Sequence, residues 1–201
     1  KWHVGAVKAA SPTNPAKMGF DEYLSHDNFF ELNPPLSRNG APPETHQGES
    51  SMIVVEAGSE FVKKVSAEGK PFFVILWFGS PHGPYSGLPE DVALYDKVPK
   101  DEMKNRFAEI TAMDRAIGRF RTTLKELGLS DNTLVWYISD NGIPVADEQD
   151  SYNGGWRGRK GTIYEGGLRV PAIIEWPATI KLHRLSNVSC VSSDIFPTLL
   201  D

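Results

Sequence analysis

The sequence contains a single cysteine, Cys190, which excludes an internal disulfide. It also lacks any apolar run approaching the roughly 20 residues that a helix needs to cross a bilayer. Positive charge is not in excess: 21 Lys and Arg stand against 26 Asp and Glu, a net charge of −5. No basic stripe alternates with aromatics, so a nucleic-acid partner is not expected. There is no internal repeat and no low-complexity tract. The first residue is Lys1 rather than Met, and no signal-like apolar stretch follows it, so a processed or truncated start is expected. What remains is a globular composition, 40% apolar over 201 residues, enough for a sizeable core.

Two apolar runs give that core its direction. Val135-Trp-Tyr-Ile138 is β-branched and aromatic, as expected of a strand buried on both faces, and it stops at Ser139-Asp140-Asn141-Gly142. Pro71-Phe-Phe-Val-Ile-Leu-Trp-Phe-Gly79 has the same character and runs into Ser80-Pro-His82-Gly-Pro84. In open α/β sheets, ligands bind outside the carboxyl ends of the strands, so both endings are candidate site segments. Glu49 to Gly69 reads as a helix, with Ile53, Ala57, Phe61 and Val65 at four-residue spacing. Pro99 to Gly128 reads as a longer one, carrying Met103, Phe107, Ile110, Ile117, Phe120, Leu124 and Leu127. Arg169 to Trp176 is a further short strand candidate, and Ser193 to Asp201 opens a helix with Asp194 as its cap. Helix, strand, helix, strand implies an α/β fold with a parallel sheet and right-handed crossovers. Residues 9–48, rich in Pro, Asn, Gly and Ser, read as a long ordered loop on the substrate side, with residues 49–201 as the α/β core.

The polar groups admit two accounts each. Asp140-Asn141 is either a simple turn or a pair of oxygen ligands, which suits Ca²⁺ or Mg²⁺ and suits Zn²⁺ poorly. His82 lies between Pro81 and Pro84, either as a loop histidine or as an imidazole held steady for acid–base work. Lys1 and His3, if extended, would point to one side. Arg157, Arg159 and Lys160 lie among Gly154, Gly155, Gly158 and Gly161, which is either a solvated basic loop or an anion cradle with Trp156 at its edge. Cys190 is most simply a small buried hydrophobe. Asn187-Val-Ser189 fits a glycosylation sequon, a common triplet.

Taken together, five segments resemble the sulfatase family of the alkaline-phosphatase-like superfamily. They are Lys1-Trp-His-Val-Gly, Ser80-Pro-His82, Ser139-Asp-Asn-Gly142, the run from Gly158 to Pro171, and Asp194-Ile-Phe-Pro-Thr-Leu-Leu200. They stand in the family's order and span almost the whole chain. The resemblance implies an alkaline-phosphatase-like three-layer sandwich with a mainly parallel sheet, incomplete at both ends, and places residues 1–201 within the catalytic domain. It implies a sulfuric ester hydrolase with a sulfate-ester substrate, a carbohydrate foremost. It implies Ca²⁺ ahead of Mg²⁺ as cofactor, with Asp140 and Asn141 as two ligands. Lys1 and His3 would flank a catalytic formylglycine, Lys1 holding sulfate and diol oxygens and His3 accepting a hydroxyl proton. His82 and Lys160 would bind the sulfate ester and assist leaving-group departure. A formylglycine-generating enzyme would be the maturation partner, and a secreted, periplasmic or lysosomal location would follow.

One departure matters. The family makes formylglycine from a Cys or Ser in C/S-x-P-x-R, and no such motif occurs here; Cys190 is followed by Val191 and Ser192. The paired acidic metal ligands of the family's first strand are missing too. The expectation is an internal fragment, inactive alone, that binds Ca²⁺ weakly through Asp140 and Asn141. Two other readings stay open. One is a phosphodiesterase or phosphonate monoester hydrolase of the same superfamily, although an amide at Asn141 where two-zinc enzymes commonly carry imidazole favours one hard cation. The other is a non-catalytic remnant that binds sulfated glycans.

Overall fold

The computed structural model describes residues 2–27, 32–144 and 154–201. The chain forms two compact units, residues 1–128 and 129–201. Among the described residues, no helix is long and apolar enough to cross a membrane.

In the first unit, the segment expected as a long loop carries a small antiparallel sheet. Strands β1 (Leu24–Ser25), β2 (Pro35–Arg38) and β3 (Glu44–Thr45) pair in that order, with Leu24 opposite Arg38 and Pro35 opposite Thr45. Pro35 opens β2, a position where its missing N–H costs least. Leu36 is buried against Val54, and Leu24, Ile53 and Phe78 pack around them. The Tyr23 hydroxyl donates to Val7 O at 2.8 Å, and its burial pushes the phenol pKa up. A raised folded-state pKa leaves the stabilisation intact below the ordinary value of about 10 and removes it as pH rises toward the folded value. Urea melts of the protein above pH ~10 should therefore lose stability more steeply than those of Tyr23→Phe; parallel slopes would contradict this.

Helix α1 (Ser50–Ala67) starts where the Glu49 carboxylate accepts from Ser51 N at 2.9 Å and Met52 N at 3.0 Å. Such a cap satisfies orphan amides and sets a negative charge at the positive end of the helix. The helix stops before Gly69, whose φ of +67° suits glycine. Its fully buried apolar residues are Val55 and Val62, rather than the expected row at 53, 57, 61 and 65. Helix α3 (Asp101–Glu126) packs against α1 and ends before Gly128 at φ +69°. Its buried face also departs from expectation. Ala108, Ala112 and Ala116 form the buried row with Glu109, Met113, Thr123 and Leu124, while Ile110 and Leu127 are exposed. Small side chains let backbone approach closely: Ala108 faces Gly87, whose added Cβ would lie 2.4 Å from the Ala108 Cβ. The short helix α2 (Pro89–Val92) docks on α3 through an ion pair between buried Asp91 and Arg115. The hydrogen bond that Arg115 donates to the Asp91 carboxylate raises the Arg115 pKa further.

The expected strand at 71–79 is extended, yet it joins no ladder among the described residues. It alternates: Phe73, Ile75 and Trp77 are exposed, at 61%, 38% and 45%, and the residues between them are half-buried. Period-2 alternation marks a strand with one covered face, so the expectation of burial on both faces is corrected here.

In the second unit, β4 (Val135–Ile138) pairs antiparallel with β5 (Ala172–Glu175), Val135 opposite Glu175 and Ile138 opposite Ala172. The α/β mixture matches expectation. The mainly parallel pairing does not occur among the described ladders, which are antiparallel. The described residues between β4 and β5, 139–144 and 154–171, include a glycine-rich loop and the short helix α4 (Glu165–Leu168), and β5 returns antiparallel to β4. Helix α5 (Ile195–Leu200) follows a turn at Ser192–Asp194, where Asp194 Oδ2 accepts from Val191 N at 2.8 Å. Cys190 is exposed, contrary to the buried hydrophobe expected.

Candidate active site

The site segments are built differently in the two units. In the first, Trp2 is the anchor. It is buried, stacks on Trp77 at 5.5 Å, meets Phe20 edge-on at 6.2 Å, and donates its indole N–H to Thr13 O at 2.7 Å. An aromatic with a satisfied polar handle fixes both depth and orientation. His3, one residue on, is exposed and adopts φ +54°, so the chain is not extended there. Its amide donates to Asp27 O at 2.9 Å, and the Asp27 carboxylate accepts from Val7 N at 2.6 Å. Asp27 thus closes the Trp2–Val7 turn that presents His3. Lys1 lies outside the described residues.

Trp77 belongs to the extended stretch that leads to His82, so the Trp2–Trp77 stack joins the two histidine-bearing segments. His82 is half-buried, and the peptide bonds before Pro81 and Pro84 are both cis. Its Nδ1 lies 2.7 Å from Gly83 O. A carbonyl can only accept, so Nδ1 carries the proton and proton exchange with a ligand falls to Nε2.

In the second unit, Asp140 and Asn141 sit directly after β4, Asp140 exposed and Asn141 half-buried. The Ser139 hydroxyl donates to Asn141 O at 3.1 Å, and Asn141 Nδ2 donates to Gly142 O at 2.9 Å. With the amide nitrogen assigned by that bond, Asn141 Oδ1 is left as an acceptor. One carboxylate and one amide oxygen fit a hard cation by chemistry and fall short of the six to eight oxygens of Ca²⁺ by number. No cluster of three or more His, Cys, Asp or Glu that could hold a metal exists among the described residues.

The Lys160 loop is fastened to this turn by backbone. Gly142 N donates to Gly167 O at 2.9 Å, and Lys160 N donates to Ile143 O at 3.0 Å. Glycine is required at the joint for space: a Cβ on Gly142 would lie 1.9 Å from Gly166 O, and one on Gly166 would lie 2.2 Å from Gly158 O. Gly166 N also donates to Arg157 O at 2.8 Å, and the Thr162 hydroxyl bonds both Arg159 N and Arg159 O. The loop therefore presents exposed Lys160 from a rigid backbone next to the Asp140 turn. Arg157 lies over Tyr164 at 3.9 Å, and Arg169 over Trp156 at 4.3 Å. Cation–π stacking of this kind holds guanidinium groups in place.

The structure thus ties the chain segments that carry His3 and His82 together through the Trp2–Trp77 stack, and separately fastens the Asp140-Asn141 turn to the Lys160 loop through the glycine joint. Sequence reasoning missed Asn105 and Glu109 of α3, whose carbonyl and carboxylate oxygens accept from Gly87 N and Ser86 N just beyond His82. No local pattern distinguishes them from solvent-facing polar residues on a long helix.

A family model described as Sulfatase matches residues 1–201. N-acetylgalactosamine-6-sulfatase of Canis lupus familiaris is 28% identical, over 100% of this chain and 41% of its own length. Ulvan-active sulfatase of Formosa agariphila is also 28% identical, over 100% of this chain and 42% of its own. Among solved structures, Ps i-CgsB in complex with k-i-k-neocarrahexaose superposes with a TM-score of 0.76 at 26% identity, covering 84% of this chain and 42% of that one. The chain spans about two-fifths of the length of the curated relatives it matches.

Proposed function

The chain belongs to the sulfatase family, and on that premise we propose that the whole protein is a sulfuric ester hydrolase acting on a sulfated carbohydrate. The observation that carries the reading is the glycine joint, which sets Asp140 and Asn141 beside the Lys160 loop. A pair of oxygen ligands and a cation, held together by backbone, suits a sulfuryl group. The carbohydrate assignment draws on relatives named for N-acetylgalactosamine 6-sulfate and ulvan.

Each residue has a role. His82, with Nδ1 on Gly83 O, offers Nε2–H to the leaving oxygen, so the departing alcohol leaves neutral. Lys160 binds sulfate oxygens and offsets the charge that gathers on them. His3 takes a hydroxyl proton from the nucleophile, and Lys1 holds sulfate oxygens beside it. Asp140 and Asn141 would hold Ca²⁺ together with ligands from elsewhere in the whole protein, and the cation would supply charge neutralisation at the sulfuryl oxygens. In this reading a formylglycine would supply the nucleophile; none of these 201 residues fits C/S-x-P-x-R.

Purified whole protein, matured by a formylglycine-generating enzyme, should release sulfate from 6-sulfated N-acetylgalactosamine or a sulfated algal oligosaccharide. It should stop on Ca²⁺ chelation, and the 201-residue chain alone should release none. Turnover of phosphodiesters or phosphonate monoesters without sulfate release would favour the phosphoryl-transfer alternative. Binding of sulfated glycans with no turnover would favour a non-catalytic protein.

A further inference from the structure

The segment after His82 is gripped by one face of α3. Glu109 Oε1 accepts from Ser86 N at 2.6 Å, and Asn105 Oδ1 accepts from Gly87 N at 3.0 Å. Asn105 and Glu109 are four residues apart, so they stand side by side on the helix. They take two consecutive backbone amides. Asn105 is itself held, its Nδ2 donating to Asp101 O at 2.9 Å. Glu109 is 5% exposed, and a buried carboxylate facing an amide makes a charge-assisted bond, shorter and stronger than a neutral one.

The fit around this grip is close. A Cβ on Gly87 would lie 2.4 Å from the Ala108 Cβ, so glycine lets the loop lie directly on the helix. Arg106 lies over the Tyr85 ring at 5.9 Å. Further along, the Tyr95 hydroxyl and Thr111 Oγ1 lie 2.6 Å apart, and Asp91 pairs with Arg115. The polar contacts from Asn105 to Arg115 thus dock residues 85–95 on α3. His82 lies just before this docked stretch, tied by its own Nδ1 to Gly83 O. Pro84 fixes φ between that carbonyl and Ser86.

We propose that Glu109, assisted by Asn105, is a positioning residue for His82: through Ser86 N and Gly87 N it sets where the imidazole Nε2 meets the leaving oxygen. The proposal rests on the reading of His82 as the group that protonates the leaving alcohol. Misplacement of a general acid penalises esters with poor leaving groups and spares those whose phenolate needs no proton. A residue that only stabilises the fold lowers both alike.

The experiment uses the whole, matured enzyme and a series of aryl sulfates, from 4-nitrophenyl sulfate to phenyl sulfate. His82→Ala, Glu109→Ala, Glu109→Gln and Asn105→Ala are compared with the parent by kcat/KM, with melting temperatures in parallel. Glu109→Ala should lose about tenfold more on phenyl sulfate than on 4-nitrophenyl sulfate. Glu109→Gln, which keeps an acceptor oxygen, should stay near the parent. Asn105→Ala should show the same split in weaker form, and it carries the test if Glu109→Ala does not fold. Combined with His82→Ala, either substitution should cause little further loss, because coupled residues are non-additive. Uniform losses across the series, or equal losses with and without His82, would overturn the positioning role. A His82→Ala enzyme whose loss relative to the parent is the same for every leaving group would instead overturn the reading of His82 itself.

Discussion

Gly142→Ala should cost about 3 kcal/mol or more and abolish turnover in the whole enzyme. The added Cβ would lie 1.9 Å from Gly166 O and 2.8 Å from Gly166 C. Both are backbone atoms of a buried segment that also receives the bond from Gly142 N to Gly167 O. No rotamer change relieves such a clash, so the two strands of chain must part. Parting them separates the Asp140 turn from the Lys160 loop, and stability and activity should fall together. Gly155→Ala is the control. Nothing lies within 4 Å of its added Cβ, and its φ of +79° leaves only a backbone penalty of roughly 1–2 kcal/mol. Urea melts and sulfate release on both variants make the comparison. A Gly142→Ala enzyme as stable and active as the parent would show that the joint is not needed.

Asp140→Asn should lower turnover about 10²-fold or more while leaving the fold intact. Asp140 is exposed at the end of β4, so an isosteric amide introduces no packing defect. What it removes is the one formal negative charge of the Asp140-Asn141 pair. A hard cation gains most of its binding from such charges, so the variant should need far more Ca²⁺ to reach its own maximal rate. Rates measured across a Ca²⁺ titration, with chelator-treated parent alongside, separate the outcomes. A titration shifted to higher Ca²⁺, with recovery at saturating concentration, supports the ligand role. A variant that matches the parent at every Ca²⁺ concentration would remove Asp140 from the metal site.

Much of the local structure was legible because it depends on neighbours in sequence. Gly69 and Gly128 end α1 and α3 as their spacing after the apolar rows implied, both at positive φ. Val135–Ile138 is a strand and stops before Asp140, where the apolar run gives way to turn formers. The family resemblance is legible too, because it lies in five short ordered segments, from Lys1-Trp-His3 through His82, Ser139–Gly142 and the Lys160 loop to Asp194–Leu200. Less legible was which side of each helix would be buried. Ile110 and Leu127 fit an apolar stripe, yet the buried row on α3 is Ala108, Ala112 and Ala116. Hydrophobicity ranks large residues first, whereas close backbone approach, as of Gly87 to Ala108, selects small ones. The strands β1, β2 and β3 were hidden for a related reason: two to four residues each, they owe their pairing to β2 being buried against α1, not to propensity.

The division follows from where the information lies. The sequence by itself determined the α/β alternation, the helix ends and the residue types of the candidate site, because caps, turns and hydrophobic periodicity act over a few residues. Only the tertiary structure decided that β4 takes an antiparallel partner in β5 and that Gly142, Gly158, Gly166 and Gly167 interlock beneath Lys160. Only it decided that Glu109 of α3 holds the segment beyond His82. The β4–β5 ladder, the Gly142–Gly167 bond and the Glu109–Ser86 bond each join residues far apart in sequence and use at least one backbone group that every residue carries, so no side-chain pattern announces them.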